Sequence, residues 1–158
     1  MPTPYQALTP YPAAGFWRRI AALIYDWFLL GGLLMVAQFM LVAVIALLAY
    51  GGWVDLTPYE GEVSLYLQGK RLPTLWLMGW IIGFYSFFWC YAGQTLGMKA
   101  WRLRVQNSDG SNLRATQGIV RALAALLGLG NLMVLFSRPP CAWQDRVADC
   151  EVVLLPKR

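Results

Sequence analysis

The chain has 158 residues, of which 58% are hydrophobic and only 13% are charged. A soluble domain is usually about half apolar and about one quarter charged, so this composition excludes an ordinary soluble domain and favours one compact, all-α membrane protein. The chain contains no histidine, the commonest general base and metal ligand, and it lacks a nucleotide-binding loop. We therefore expect no enzyme, no metal site and no cofactor.

Residues 1–14 are polar and proline-rich and show no signal-peptide pattern, so we interpret them as a flexible N-terminal tail. A membrane domain of residues 15–155 follows the tail. Its first hydrophobic segment, residues 20–50, would be about 46 Å long as a single helix, against a hydrocarbon core of about 30 Å. Three arrangements would accommodate the excess: a tilt, a bend at Gly31–Gly32, or first turns that lie at the membrane interface.

Arg19 and Asp26 stand at the start of this segment, where an unpaired charge in lipid is costly. Seven residues apart, they share one helix face, but they lie about 10.5 Å apart along the axis, too far for a direct ion pair. Ala22 lies between them, and its small side chain lets another segment approach closely. Each charge therefore needs a partner elsewhere. We predict that Arg19 pairs with Asp145, and that Asp26 faces either a basic residue of the second loop or Arg121.

The second hydrophobic segment, residues 74–91, is uncharged and carries tryptophans that suit a membrane interface. The loop after it, residues 92–116, is basic, whereas the loop before it, residues 51–73, is slightly acidic. Basic loops stay in the cytoplasm, so we place the N-terminus and the loop 92–116 on the cytoplasmic side of the membrane. The same basic residues would attract anionic lipid headgroups, and this accounts for the net charge of +5 without a nucleic acid.

The third hydrophobic segment, residues 117–137, contains Arg121 near its start and two glycines in its middle. It either spans the membrane once or breaks and folds back. Before it, apolar residues alternate with polar ones around a turn at residues 107–110, and this pattern predicts a small cytoplasmic β-hairpin. Residues 151–155 form another candidate strand, which can join the hairpin only if the third segment folds back.

Three groups of residues follow one another along the chain, each at a fixed place relative to the hydrophobic segments. They are Arg19-x-x-Ala22-x-x-x-Asp26, Gly93-Gln-Thr-Leu-Gly97-Met-Lys99 and Gln144-Asp145-Arg-Val-Ala148. Together they resemble the RDD family of small bacterial membrane proteins, which is named for one arginine and two aspartates. The resemblance covers about residues 15–155 and implies that Asp145 is the second aspartate, with Cys150 where the family usually carries threonine. It favours the fold-back of the third segment, and it implies ion transport only for some members.

Two functions remain open at this point. In the first, Asp26 is a proton or cation site of a small transport protein or subunit, because a buried carboxylate near an arginine can bind and release a cation. In the second, Arg19, Asp26 and Asp145 form a packing clamp in an accessory or scaffold protein of a larger membrane complex. Either protein would work as a homo-oligomer or beside other membrane subunits. The residues expected to support the site are Ala22, Gly93, Gly97, Lys99 and Arg121.

The three cysteines give no sign of a metal site. Cys90 lies in the second hydrophobic segment and is expected to pack as a small hydrophobic side chain. Cys141 and Cys150 are nine residues apart, without the spacing of metal ligands. They would be reduced thiols if the C-terminal tail is cytoplasmic, and could form a disulfide if it is periplasmic.

Overall fold

The structure, a computed structural model, describes residues 11–138 and 140–156, without the side chains of residues 126 and 127. Most of the predicted N-terminal tail, residues 1–10, lies outside the described residues. The chain divides into two compact units, one formed by residues 1–28 and 82–158 and the other by residues 29–81.

Two long helices contribute residues to both units. Helix α1 runs from Phe16 to Tyr50 and helix α3 from Leu72 to Tyr91, and both are long and apolar enough to cross a membrane. This confirms that the first two hydrophobic segments are helical. Each helix begins a few residues earlier than the apolar segment, and Pro73 is accommodated because it lies in the first turn of α3, where no amide hydrogen bond is lost.

The unit of residues 29–81 contains a small core between the two long helices. Its loop forms a 3-10 turn, Thr57–Tyr59, and a short helix, α2, Val63–Leu67. The indole nitrogen of Trp76 donates a hydrogen bond to the carbonyl oxygen of Ala37 at 2.9 Å, which links α3 to α1. The buried side chains of this core are Leu41, Ile45 and Leu67.

The other unit is built from short elements that surround the start of α1 and the end of α3. In chain order they are helix α4 (Leu96–Ala100), strand β1 (Leu103–Gln106), helix α5 (Ala115–Ala124), the 3-10 segment Leu126–Leu135, helix α6 (Trp143–Val147) and strand β2 (Glu151–Leu154). Their core includes the strand side chains Leu103, Val105 and Val152. The core also includes Ala22 of α1 and Trp89 of α3, so the short elements pack directly on both long helices.

A small antiparallel sheet joins β1 to β2, with Leu103 opposite Leu154 and Gln106 opposite Glu151. The free edge of β2 is covered by the segment that precedes α1. There the amide of Ala14 donates to the carbonyl of Val152 at 2.8 Å, and the amide of Leu154 donates to the carbonyl of Pro12 at 2.9 Å. Residues 12–14, which the sequence analysis assigned to the flexible tail, are therefore held against the sheet.

The prediction of a β-hairpin is wrong, because β1 does not pair with the chain that follows the turn. Residues 107–110 do form a turn, closed by a hydrogen bond from the amide of Gly110 to the carbonyl of Asn107. The chain after the turn cannot pair with β1, because that edge is already occupied: the amide of Val105 donates to the carbonyl of Gly93, and the side chain of Gln94 donates to the carbonyl of Leu103. β1 instead pairs with a strand from the end of the chain.

The third hydrophobic segment is broken rather than continuous. Helix α5 and the 3-10 residues Gly128–Leu135 meet at a bend of 79°. Gly128 lies within this bend with a φ of +103°, and a side chain there would overlap that of Leu23. The positive φ favours glycine at this position, and a larger residue would also displace the side chain of Leu23.

Candidate functional site

Arg19 and Asp145 form a buried ion pair, and this confirms the predicted pairing. The Nη1 atom of Arg19, on the first turn of α1, lies 2.5 Å from Oδ2 of Asp145 on α6. The Nε atom of the same arginine donates to the carbonyl oxygen of Ala14 at 3.0 Å. Arg19 thereby joins α6 to the segment that pairs with β2.

Arg121 also pairs with Asp145, which corrects the prediction of Arg121 as one of two alternative partners of Asp26. Its Nη2 atom lies 2.6 Å from Oδ1 of Asp145, so each carboxylate oxygen of Asp145 contacts one guanidinium. The Oδ2 atom accepts a further hydrogen bond from the amide of Ala142 at 3.2 Å. Arg121 is positioned from the other side by Trp89, whose ring centroid is 4.1 Å from the guanidinium carbon. We call Arg19, Arg121 and Asp145 the clamp.

The two guanidiniums keep Asp145 ionised although its side chain is only 1% exposed. Burial alone would raise the pKa of this carboxyl group. The positive charges of Arg19 and Arg121 outweigh that effect and hold the pKa below its usual range. The clamp therefore carries two buried positive charges and one negative charge at neutral pH.

Asp26 occupies a separate position, two turns further along α1, and its partners are neutral. Its Oδ2 accepts a hydrogen bond from the hydroxyl of Thr95 at 2.5 Å, and its Oδ1 accepts one from the amide of Gly97 at 2.9 Å. The hydroxyl oxygen of Thr95 in turn accepts from the amide of Met98 at 3.2 Å. The prediction that Asp26 faces a basic residue of the second loop or Arg121 is therefore wrong, because its hydrogen bonds come from Thr95 and Gly97.

The contact between α1 and α4 depends on two small residues. Ala22 is buried beneath Gly97, and a methyl group added to Gly97 would overlap the carbonyl oxygen of Ala22 and crowd the carboxyl group of Asp26. The small side chain of Ala22 was predicted to permit a close approach, and the approaching segment is α4 rather than a membrane helix.

The remaining supporting residues are not in contact with the acidic groups. Lys99 lies on α4 with its side chain exposed. Gly93 contributes its carbonyl oxygen to the amide of Val105 at 2.7 Å, which fixes the edge of β1. Thr95 and Trp89 were missed by the sequence analysis. Thr95 could have been found from its position immediately before a short helix, where threonine commonly caps the first turn.

Cys90 and Cys141 are free thiols, so no disulfide joins Cys141 to Cys150. Cys141 and Cys150 are both buried, and burial raises the pKa of the Cys150 thiol to about 11, although Arg121 acts in the opposite direction. Within residues 11–138 and 140–156, no group of three or more cysteine, aspartate or glutamate side chains is arranged to hold a metal ion.

Two helices long enough to span a membrane, together with a buried arginine–aspartate–arginine cluster, define a small helical domain of membrane-protein type. The sequence profile of the RDD family matches residues 13–149, and the chain belongs to this family. The match confirms the resemblance drawn from the three residue groups. No significant match was found among curated proteins or among solved structures.

Proposed function

We propose that this protein is an accessory or scaffold component of a larger membrane assembly, whose family-signature charges hold its own fold together. The observation that carries the proposal is the clamp. Both carboxylate oxygens of Asp145 are occupied by arginines of the same chain, at 2.5 and 2.6 Å. This arrangement favours a packing role, because neither oxygen of Asp145 is left open for a substrate.

The contacts of the first unit support a topology in which both ends of the described chain lie on one side of the bacterial inner membrane. Residues 12–14, the loop that carries β1, and β2 are joined by backbone hydrogen bonds. If α1 and α3 each cross the bilayer once, the third segment must then return to the side on which it began. The excess of basic residues in the N-terminal segment and the loop 92–116 supports the cytoplasmic side.

The surface of the two long helices supports the need for partner subunits or further copies of the chain. In the most apolar 18-residue stretch of each helix, only 17% of α1 and 11% of α3 is buried within the chain. Two helices that bury so little of their surface within the chain do not enclose a pathway by themselves. The remaining surface contacts lipid, a second copy of this chain or other membrane subunits.

A second candidate function is proton- or ion-linked transport, and the environment of Asp26 favours it. This carboxyl group is 2% exposed. Within the described part of the chain it forms no ion pair, and its hydrogen bonds come from a hydroxyl and a backbone amide. A buried acidic group without a fixed cation can exchange a proton or a metal cation as its surroundings change.

Replacement of Asp26 by asparagine separates the two functions. A packing role predicts that Asp26→Asn weakens the contact with Thr95 and Gly97, lowering the free energy of unfolding by about 2 kcal/mol and reducing assembly. A transport role predicts normal stability and assembly with loss of ion-driven pH changes in proteoliposomes. Asp109→Asn, at an exposed turn residue, is the matched control. A variant that is stable, assembled and devoid of ion flux would overturn the scaffold proposal.

A further inference from the structure

Two short helices of the first unit, α4 and α6, contact the first turns of α1, which makes three neighbouring segments. The clamp places α6 beside the start of α1 through the pair of Asp145 with Arg19. The hydrogen bond from Gly97 to Asp26 places α4 beside the third turn. Two residues of each short helix are buried, and the remaining three are exposed.

Each of these segments displays a tryptophan close to a basic residue. The exposed fractions of Trp17, Trp101 and Trp143 are 78%, 40% and 51%. Their basic neighbours are Arg18 for the first, Lys99 and Arg102 for the second, and Arg146 for the third, one helical turn away. We call these seven residues the interfacial belt. Tryptophan beside lysine or arginine is the combination that concentrates where hydrocarbon meets headgroups.

The charges and the exposed apolar side chains near the interfacial belt together indicate whether its partner is a nucleic acid or a membrane. Among the described residues of this unit, exposed basic side chains outnumber exposed acidic ones, of which there are two, Asp109 and Asp149. A basic surface alone would suit a nucleic acid or an anionic membrane. However, Leu96 on α4 and Val147 on α6 are also exposed, and a nucleic acid would leave their apolar surface in water. Lipid covers both the charges and the apolar side chains.

We propose that the interfacial belt binds anionic phospholipid headgroups and thereby anchors α4 and α6 in the membrane interface. This inference rests on the membrane topology given under the proposed function. It adds a selectivity that a general anchor would not have: phosphatidylglycerol should be enriched around the belt relative to phosphatidylcholine. The basic residues bind the phosphate groups and the tryptophans lie at the level of the headgroups.

The test uses the full chain reconstituted in mixed vesicles, with tryptophan fluorescence quenched by brominated phosphatidylglycerol or brominated phosphatidylcholine. The ratio of quenching gives the relative binding constant of the two lipids. We expect a preference for phosphatidylglycerol that falls about fivefold for each charge removed in Lys99→Gln and Arg146→Gln. The matched control is the pair Lys70→Gln and Arg71→Gln, in the loop of the other unit, which should keep the preference. For the native chain, 1 M salt should abolish it.

Each contrary outcome has a distinct meaning. Equal quenching by the two lipids, or an equal loss in the control pair, would overturn the lipid-binding belt while leaving the scaffold proposal untouched. Displacement of brominated phosphatidylglycerol by a single-stranded oligonucleotide would assign the surface to nucleic acid instead. No quenching by either lipid would contradict membrane insertion itself and with it the proposed function. If the double variant fails to fold, the native chain in 1 M salt still tests the proposal. A preference for phosphatidylglycerol that persists in 1 M salt would contradict it.

Discussion

At the scale of single residues, Asp145 holds two arginines that come from distant parts of the chain. The ion pair with Arg19 spans 126 residues and that with Arg121 spans 24. Burying three charges is unfavourable in itself. The attraction of Asp145 for the two arginines offsets that cost only while all three residues are present. Removing the single negative charge leaves two buried guanidiniums without a counterion.

We therefore expect Asp145→Asn to destabilise the protein strongly. Loss of one member of a buried ion pair typically costs about 3–5 kcal/mol, and here one substitution breaks two pairs. The measurement is chemical unfolding of the purified protein in detergent. Asp149→Asn, the same substitution at a nearby exposed aspartate, should change the stability by less than about 0.5 kcal/mol. Similar losses in both variants would argue against the clamp.

The pH dependence of the free energy of unfolding should reflect the protonation of Asp145. Because the folded-state pKa of Asp145 lies below its ordinary value of 3.8, the unfolded chain binds the proton more readily than the folded one. The stabilisation is then complete above pH 3.8 and is lost as the pH falls through the lower, folded-state pKa. We expect the stability difference between the native chain and Asp145→Asn to stay constant from pH 8 to pH 5 and to shrink below pH 3.8. A difference that already falls near pH 6 would mean that another group controls it.

Single residues also show what sequence alone could predict of the site. The pairing of Arg19 with Asp145 could be predicted for two reasons: a charge in an apolar segment needs a counterion, and the family resemblance singled out Asp145 as the second aspartate. The partners of Asp26 were missed because a hydroxyl group and a backbone amide carry no net charge. Their position depends on the path of the chain from Gly93 to Gly97. That path follows from the packing of α4 against Ala22, which no local pattern specifies.

At the scale of secondary structure, the contact between α4 and α1 depends on the absence of a side chain at Gly97. We expect Gly97→Ala to lower the free energy of unfolding by about 2 kcal/mol, because the added methyl group must push α4 away from Ala22 and Asp26. Gly79→Ala is the control, since a methyl group there meets no atom within 4 Å and an alanine favours the helix. Unfolding in detergent measures both, and an unaffected Gly97→Ala protein would show that this contact is not tight.

Elements differed in how well they could be predicted. The two long helices follow from continuous apolar sequence, a property of neighbouring residues. β1 was located from local alternation, and residues 151–155 were recognised as a candidate strand. Their pairing joins residues 103–106 to residues 151–154, and such a choice depends on which edges remain free. Gly93 and Gln94 occupy the edge that a hairpin would have used.

At the scale of the whole molecule, the proposed topology can be tested with single cysteines in a background without the three native ones. The native thiols are unsuitable reporters, since Cys141 and Cys150 are buried. We expect Ser108→Cys and Pro156→Cys to react with a membrane-impermeant reagent only after permeabilisation, and Ser64→Cys to react in intact cells. All three positions are exposed. Labelling of Pro156→Cys in intact cells would place the tail in the periplasm and contradict the fold-back.

The strand-like segment at residues 12–14 has a consequence for the way this protein is made. Its partner, β2, is synthesised long after α1, and Arg19 can meet Asp145 only after a further 126 residues have been made. Since α1 is synthesised first, it enters the bilayer with Arg19 and Asp26 still without their native contacts. The first unit therefore closes only after α6 and β2 have been synthesised. Until then the nascent chain depends on the insertion machinery or on lipid headgroups to shelter those charges.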